Sequence, residues 1–234
     1  MKSKMETSNN RVYQRVYIAT QLTGLLIFVL LLVVIIKCWG GIGFSKTTYF
    51  NFHPLLMVLG FVLLYSNTAL LYRTGRGVQK WSLKVGHASM NGTIAVLVAL
   101  ALTAVVIAKG GASADSRHLY TLHSWLGIVT CILFVSQFIA GFTAYLFPGA
   151  SPHLRKAMMP YHRANGLLIF ALAVATCLTG LNEKAIFSVP DYTSVHSWPG
   201  VLVNVISLLL VVFASLTVFL LGRRQYRRVP LPSD

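Results

Sequence analysis

Four histidines in this sequence stand where chemistry would need them: His53, His87, His123 and His162. Each lies in a different long apolar run, whereas His118, His153 and His196 fall in connecting segments. A neutral imidazole carries one N–H and one lone pair, and both need partners once water is removed. Ionisable side chains inside apolar spans are rare and are functional by default. A hydrogen bond to a neighbouring helix explains one such histidine. Four on four successive runs call for a common cause, either ligation of a metal or haem iron, or a proton path.

The elements that position them follow from composition. The chain has 234 residues, 56% hydrophobic and only 11% charged, which is the composition of a membrane protein. A hydrocarbon core of ~30 Å takes ~20 apolar residues per helix. Six runs qualify, at about 16–38, 51–72, 84–108, 119–147, 160–182 and 198–221. They are continuous rather than alternating, so they predict helices, and the short connections leave no room for a soluble domain.

Alternating helix direction sets the depth of each histidine. His53 opens the second run and His123 the fourth, which places both near one face. His87 opens the third and His162 the fifth, which places both near the other. The pattern is two level pairs, each on helices two apart in sequence. Zinc prefers four protein ligands in one place, whereas two trans imidazoles are what a six-coordinate haem iron takes. Small residues at Gly60, Gly92, Gly127, Gly141 and Gly166 suit a flat macrocycle between helices, and equally suit bare helix packing.

The net charge of +15 is distributed as membrane topology requires rather than as a nucleic-acid surface. The 1–15 segment, the 73–84 and 148–159 loops with Arg163, and the C-terminal tail hold 15 of the 20 Lys and Arg residues. The positive-inside rule then puts both termini in the cytoplasm, with a basic rim suited to anionic lipid. The polar opening MKSKMETSNNRVYQR precedes a run too long for a secretory signal, so no cleaved signal is expected. Cys38, Cys131 and Cys177 form no disulfide framework, and no C-x-x-C-H motif offers covalent haem attachment.

The stretches FNFHPLLMVLGFVL, YTLHSWLGIV, FTAYLFPGASPHLRKAMMPYH and GLNEKAIF resemble the cytochrome b561 family of ascorbate-dependent transmembrane ferrireductases, with the resemblance running from about residue 11 to 228. The resemblance implies an all-α membrane protein, a six-helix bundle with two haems b held between helices 2–5. One domain covers 16–221, with cytoplasmic tails at 1–15 and 222–234. Its ligand positions match His53 with His123 on the non-cytoplasmic side and His87 with His162 on the cytoplasmic side. It further implies that ascorbate donates to the cytoplasmic haem and that the other haem reduces monodehydroascorbate or a ferric chelate. Matching positions for ascorbate are Lys80, Lys84, Tyr145 and Arg155, with Arg73 adding to the field. Lys84, three residues before His87 and on the same helical face, is the expected catalytic base coupling proton to electron transfer. On the non-cytoplasmic side the match is looser. Tyr120 and Phe187 resemble substrate-pocket positions, and His118 stands near a place where relatives carry a histidine and this chain reads AKGGASAD. Relatives are commonly homodimers, and plasma, endosomal, secretory and lysosomal membranes all suit the family.

Two other classes share part of this pattern. A quinol-linked dihaem cytochrome b would use the same histidine geometry with a lipid quinone. A histidine-dependent proton or metal transporter would be expected to carry buried carboxylates and broken helices. All five Asp and Glu residues here lie at termini, in loops or at helix ends.

Overall fold

The apolar runs fold into six helices: α1 (Lys2–Cys38), α2 (Lys46–Thr74), α3 (Lys80–Ala108), α4 (Leu122–Tyr145), α5 (Pro152–Ser188) and α6 (Trp198–Gly222). The computed structural model describes residues 2–111, 119–189 and 197–232, and all six helices have the length and apolarity to cross a membrane. Among the described residues there is no strand. Large apolar side chains face outward along the spans, including Leu22, Ile36, Ile132 and Leu208, as lipid rather than water requires.

Local sequence signals set several helix ends. The hydroxyls of Thr121 and Ser151 accept from the backbone N–H of Ser124 and Leu154, capping α4 and α5. Pro152 then occupies the first turn of α5, where its missing N–H costs nothing. This start lies well before the expected residue 160, because Pro160 is carried inside the helix rather than opening it. Helix α2 is irregular: two short α-helical pieces lead into a π-helical stretch, Val58–Leu64, before α-geometry resumes at Tyr65.

The core has two parts. Ile27, Leu31, Val34 and Ile35 of α1 pack with Val203, Ile206, Leu210 and Phe213 of α6 in the main cluster. Close approach is possible because Gly24 faces Phe213, where a Cβ would lie 2.9 Å from the ring. At mid-depth an aromatic layer joins α2, α4 and α5. Phe61 meets Phe134 edge to face at 5.1 Å, and Tyr65 stacks on Phe170 at 6.2 Å. The Tyr65 hydroxyl donates to the Gly166 carbonyl at 3.0 Å, which satisfies a polar group otherwise stranded among rings.

Both segments expected to be tails carry structure. The first helix begins at Lys2. After α6 a 3₁₀ turn, Arg224–Tyr226, drops Tyr226 among Tyr13, Leu70 and Leu220, leaving it 1% exposed. Guanidinium groups tie the strap down. Arg73 donates to the carbonyls of Leu221 and Arg223, Arg76 to Tyr226 at 3.2 Å, and Arg228 to Val78 at 2.7 Å. These bonds satisfy carbonyls left open at the end of α6, in the strap and in the α2–α3 connection.

Candidate functional site

The four intramembrane histidines come together as two pairs. The rings of His53 (α2) and His123 (α4) are 6.0 Å apart at an interplanar angle of 86°, and those of His87 (α3) and His162 (α5) are 6.2 Å apart at 62°. The pairs lie toward opposite ends of the bundle, with the aromatic layer between them. Among the described residues no three His, Cys, Asp or Glu side chains gather at one point. The imidazoles come in twos.

Backbone carbonyls on neighbouring helices hold three of the rings. The Nδ1 of His53 faces the Ala101 carbonyl at 3.2 Å, that of His87 the Thr68 carbonyl at 3.1 Å, and that of His123 the Thr176 carbonyl at 2.9 Å. A carbonyl can only accept, so Nδ1 carries the proton in each and Nε2 is left as a lone-pair donor. This is the outer-shell arrangement typical of metal-bound histidine. His162 is positioned differently. Its backbone carbonyl accepts from Gln137 at 2.6 Å, Gln137 is itself held by Asn165 at 3.1 Å, and its ring lies 5.3 Å from that of Tyr145. Glycines let two of these rings lie against helix backbone. A Cβ at Gly180 would come 2.6 Å from His123, and one at Gly141 would come 3.2 Å from His162.

On the face where α3 and α5 begin, Lys84 reaches across to α4 and donates to the Tyr145 carbonyl at 3.0 Å. The Tyr145 hydroxyl donates to the Arg155 carbonyl at 3.3 Å. Lys80 and Arg155 lie near enough to act electrostatically on Lys84. Four of the residues expected to bind an anionic donor, Lys80, Lys84, Tyr145 and Arg155, are thus grouped beside His162. Arg73 is not joined to them by a bond. Its guanidinium is committed to the carbonyls at the end of α6.

The opposite face is built less as the sequence suggests. Tyr120 is exposed, and the Lys109 ammonium lies 5.7 Å over its ring. Phe187, in the last turn of α5, is 65% exposed. His118 and His196 lie outside the described residues. Sequence reasoning did not single out Lys184, whose ammonium sits 4.7 Å from the Phe50 ring centre and 5.5 Å from that of Trp39. Phe50 in turn lies 6.0 Å from the ring of His53.

Residues 52–188, which include all four paired histidines, match the family described as eukaryotic cytochrome b561. The chain belongs to that family. It is 39% identical to the transmembrane ascorbate-dependent reductase CYB561 of Ovis aries, across 83% of this chain and 76% of the relative. It is 38% identical to the human protein of the same name, across 81% of this chain and 74% of the relative. To the plasma membrane ascorbate-dependent reductase CYBRD1 of Mus musculus it is 34% identical, across 98% of this chain and 80% of the relative.

A cytochrome b561 implies b-type haem, and the donor set here suits one. Each pair presents two imidazoles with ring centres 6.0 and 6.2 Å apart, and these are the groups that would hold a haem iron. The placement of imidazoles in four successive apolar runs drew attention to the histidines themselves. It gave no sign of the carbonyls that orient them or of Gln137, since these depend on which helices touch.

Proposed function

We propose that this chain is a transmembrane oxidoreductase that moves single electrons from cytoplasmic ascorbate to an acceptor on the other side. Two haems b serve it, one held by His53 and His123 and one by His87 and His162. The observation that carries this reading is the pairing of four histidines at two depths, each pair with its ring centres 6.0 or 6.2 Å apart. Each haem, when bound, takes up and gives up one electron without covalent change, and the protein supplies position and insulation.

The residues of the chain do the rest. Carbonyls of Ala101, Thr68 and Thr176 fix the protonated nitrogen of three histidines and so leave the other free as the group that would hold a haem iron. Lys80, Lys84 and Arg155 form a basic group that attracts and seats the ascorbate anion. Lys84, once it has released its own proton to the cytoplasm, is the group that takes the proton ascorbate gives up with its electron, with Tyr145 closing the pocket beside His162. Lipid-facing apolar surface and the aromatic layer keep water from the path. The basic rim supports a cytoplasmic position for the α3 and α5 starts and for both termini. Monodehydroascorbate and ferric chelate are the two acceptor classes, and the working unit is a homodimer.

The test is an absorption spectrum of purified protein, oxidised and then titrated with ascorbate, repeated for His123→Ala and His162→Ala. A low-spin b-type spectrum that appears with ascorbate, with each variant losing about half the haem, is the expected result. Haem reducible only by dithionite would transfer the donor role to a quinol. Folded protein without haem would end the proposal.

A further inference from the structure

Helix α6 buries one face and leaves another open. Leu210, Phe213, Thr217 and Leu220 are buried. Val211, Ala214, Ser215, Val218 and Phe219, at the i, i+3, i+4 spacing of a second face, wall a groove of about 510 Å³ together with Val174 of α5. Two adjoining positions on that face carry the small side chains of Ala214 and Ser215, which is what leaves the space. The Ser215 hydroxyl is spent within α6, donating to the Val211 carbonyl at 2.8 Å, so the walls act as apolar surface. The end of the groove is different. The Arg223 guanidinium lies 4.7 Å over the Phe219 ring, and at Gly222, next to it, an added Cβ would meet nothing. On α5, Arg163 precedes Val174 by eleven positions, about three helical turns, which puts both on one face. Arg163 and Arg227 each lie close enough to act electrostatically on Arg73, whose own guanidinium is bonded at the end of α6. Among the described residues the guanidiniums of Arg163, Arg223 and Arg227 make no ion pair or hydrogen bond.

We infer that this groove and the arginines at its mouth bind one phospholipid with a multiply phosphorylated headgroup, its acyl chain along α6 and its phosphates among Arg163, Arg223 and Arg227. Charge selects this occupant. Guanidinium pairs with phosphate oxygens in bidentate fashion. Several arginines just past the end of a spanning helix suit an inositol phosphate better than a headgroup with a single charge. A second copy of the chain fits less well. Two copies related by an axis along the membrane normal would set the same guanidiniums against one another at one depth. Bulk lipid tails fill an apolar groove without preference, so selectivity resides in the arginines, while the buried chain adds affinity. None of the groove's walls belongs to the histidine pairs or to the Lys84 group. With the end of α6 on the cytoplasmic side, as proposed above, the headgroup lies in the cytoplasmic leaflet.

The experiment adds dioleoyl phosphatidylinositol bisphosphate to purified haem-loaded protein in detergent and counts bound lipid by native mass spectrometry. Wild type retains one such lipid per chain and holds it at least about tenfold more tightly than dioleoyl phosphatidylserine. The Arg223→Gln/Arg227→Gln double variant removes two charges, and Ser215→Phe fills the groove. Each binds the lipid at least about tenfold more weakly, with unchanged haem content showing it to be folded. Soluble inositol trisphosphate, which has no chain to place along α6, binds wild type at least about tenfold more weakly than the lipid. Equal retention of the two lipids, equal lipid binding by wild type and either variant, or equal binding of the soluble headgroup overturns the inference. So does a Ser215→Phe variant that loses a dimer and keeps its lipid, because the groove then belongs to a second copy. The binding measurement uses no electron donor, so its failure and that of the electron-transfer reading are separate events.

Discussion

Gly180 lies directly against the imidazole of His123: a Cβ built on it would meet the ring at 2.6 Å from Cε1 and 2.8 Å from Nδ1. The same helix, one turn earlier, offers the Thr176 carbonyl that fixes Nδ1 at 2.9 Å. The ring is therefore set between a hydrogen bond and a surface with no side chain. Gly180→Ala pushes the imidazole off that surface, and a ligand displaced by about 1 Å is poorly placed to hold its metal. The expected outcome is loss of about half the haem, the share assigned to the pair His53 and His123, read from the pyridine haemochrome spectrum. Gly127→Ala is the control, since its Cβ would meet only the Thr176 methyl at an ordinary 3.6 Å.

Lys84 joins α3 to the last turn of α4 through the Tyr145 carbonyl. Lys84→Gln keeps an N–H donor for that carbonyl but removes the charge and the exchangeable proton. Reduction by ascorbate should slow at least about tenfold in stopped-flow measurements, with the dithionite-reduced spectrum unchanged. Wild-type reduction should also slow as salt is raised, because the Lys80, Lys84 and Arg155 group works partly by long-range attraction.

The strap after α6 is a structural element, and Tyr226 is its anchor. Tyr226→Ala removes a ring that is 1% exposed among Tyr13, Leu70 and Leu220. A loss of about 3 kcal/mol is expected from the cavity alone. Thermal unfolding followed by loss of the haem spectrum should show a lower Tm, with the ascorbate-reduced spectrum at room temperature intact.

Phe134 is 2% exposed and touches both Phe61 and Tyr65 at mid-depth. Inside a membrane, helix association rests on packing rather than on the exclusion of water. Phe134→Ala should lower the Tm clearly more than Phe134→Leu, which fills most of the gap. Each variant's Tm in the same detergent decides the comparison.

Much of this architecture was legible in the sequence because it depends on chain-local signals. Continuous apolar runs declare the helices, and alternating helix direction assigns His53 and His123 to one level and His87 and His162 to the other. Features made by distant segments were not legible. The opening MKSKMETSNNRVYQR has no apolar periodicity to announce a helix, yet Tyr13 within it is buried against Tyr226. The arginines of the basic rim read as topological charge, whereas Arg73, Arg76 and Arg228 also tie the strap through bonds that span about 150 positions. The groove between α5 and α6 takes its walls from two helices that only the fold brings together. The apolar run is legible only from about residue 160, whereas the cap at Ser151 has already begun α5.

The two histidine levels have an electrical consequence. With the basic rim in the cytoplasm, as proposed, an electron passing from the level of His87 and His162 to that of His53 and His123 would move outward through much of the bilayer's low-dielectric thickness. A membrane held negative inside drives that movement, by up to about 2.3 kcal/mol per 100 mV for a full crossing. On the same reading the proton released by ascorbate would stay behind in the cytoplasm, so every turnover would depolarise the membrane by one charge. The protein in a sealed vesicle is then a current source that stalls against its own voltage. An added potassium carrier should restore its rate.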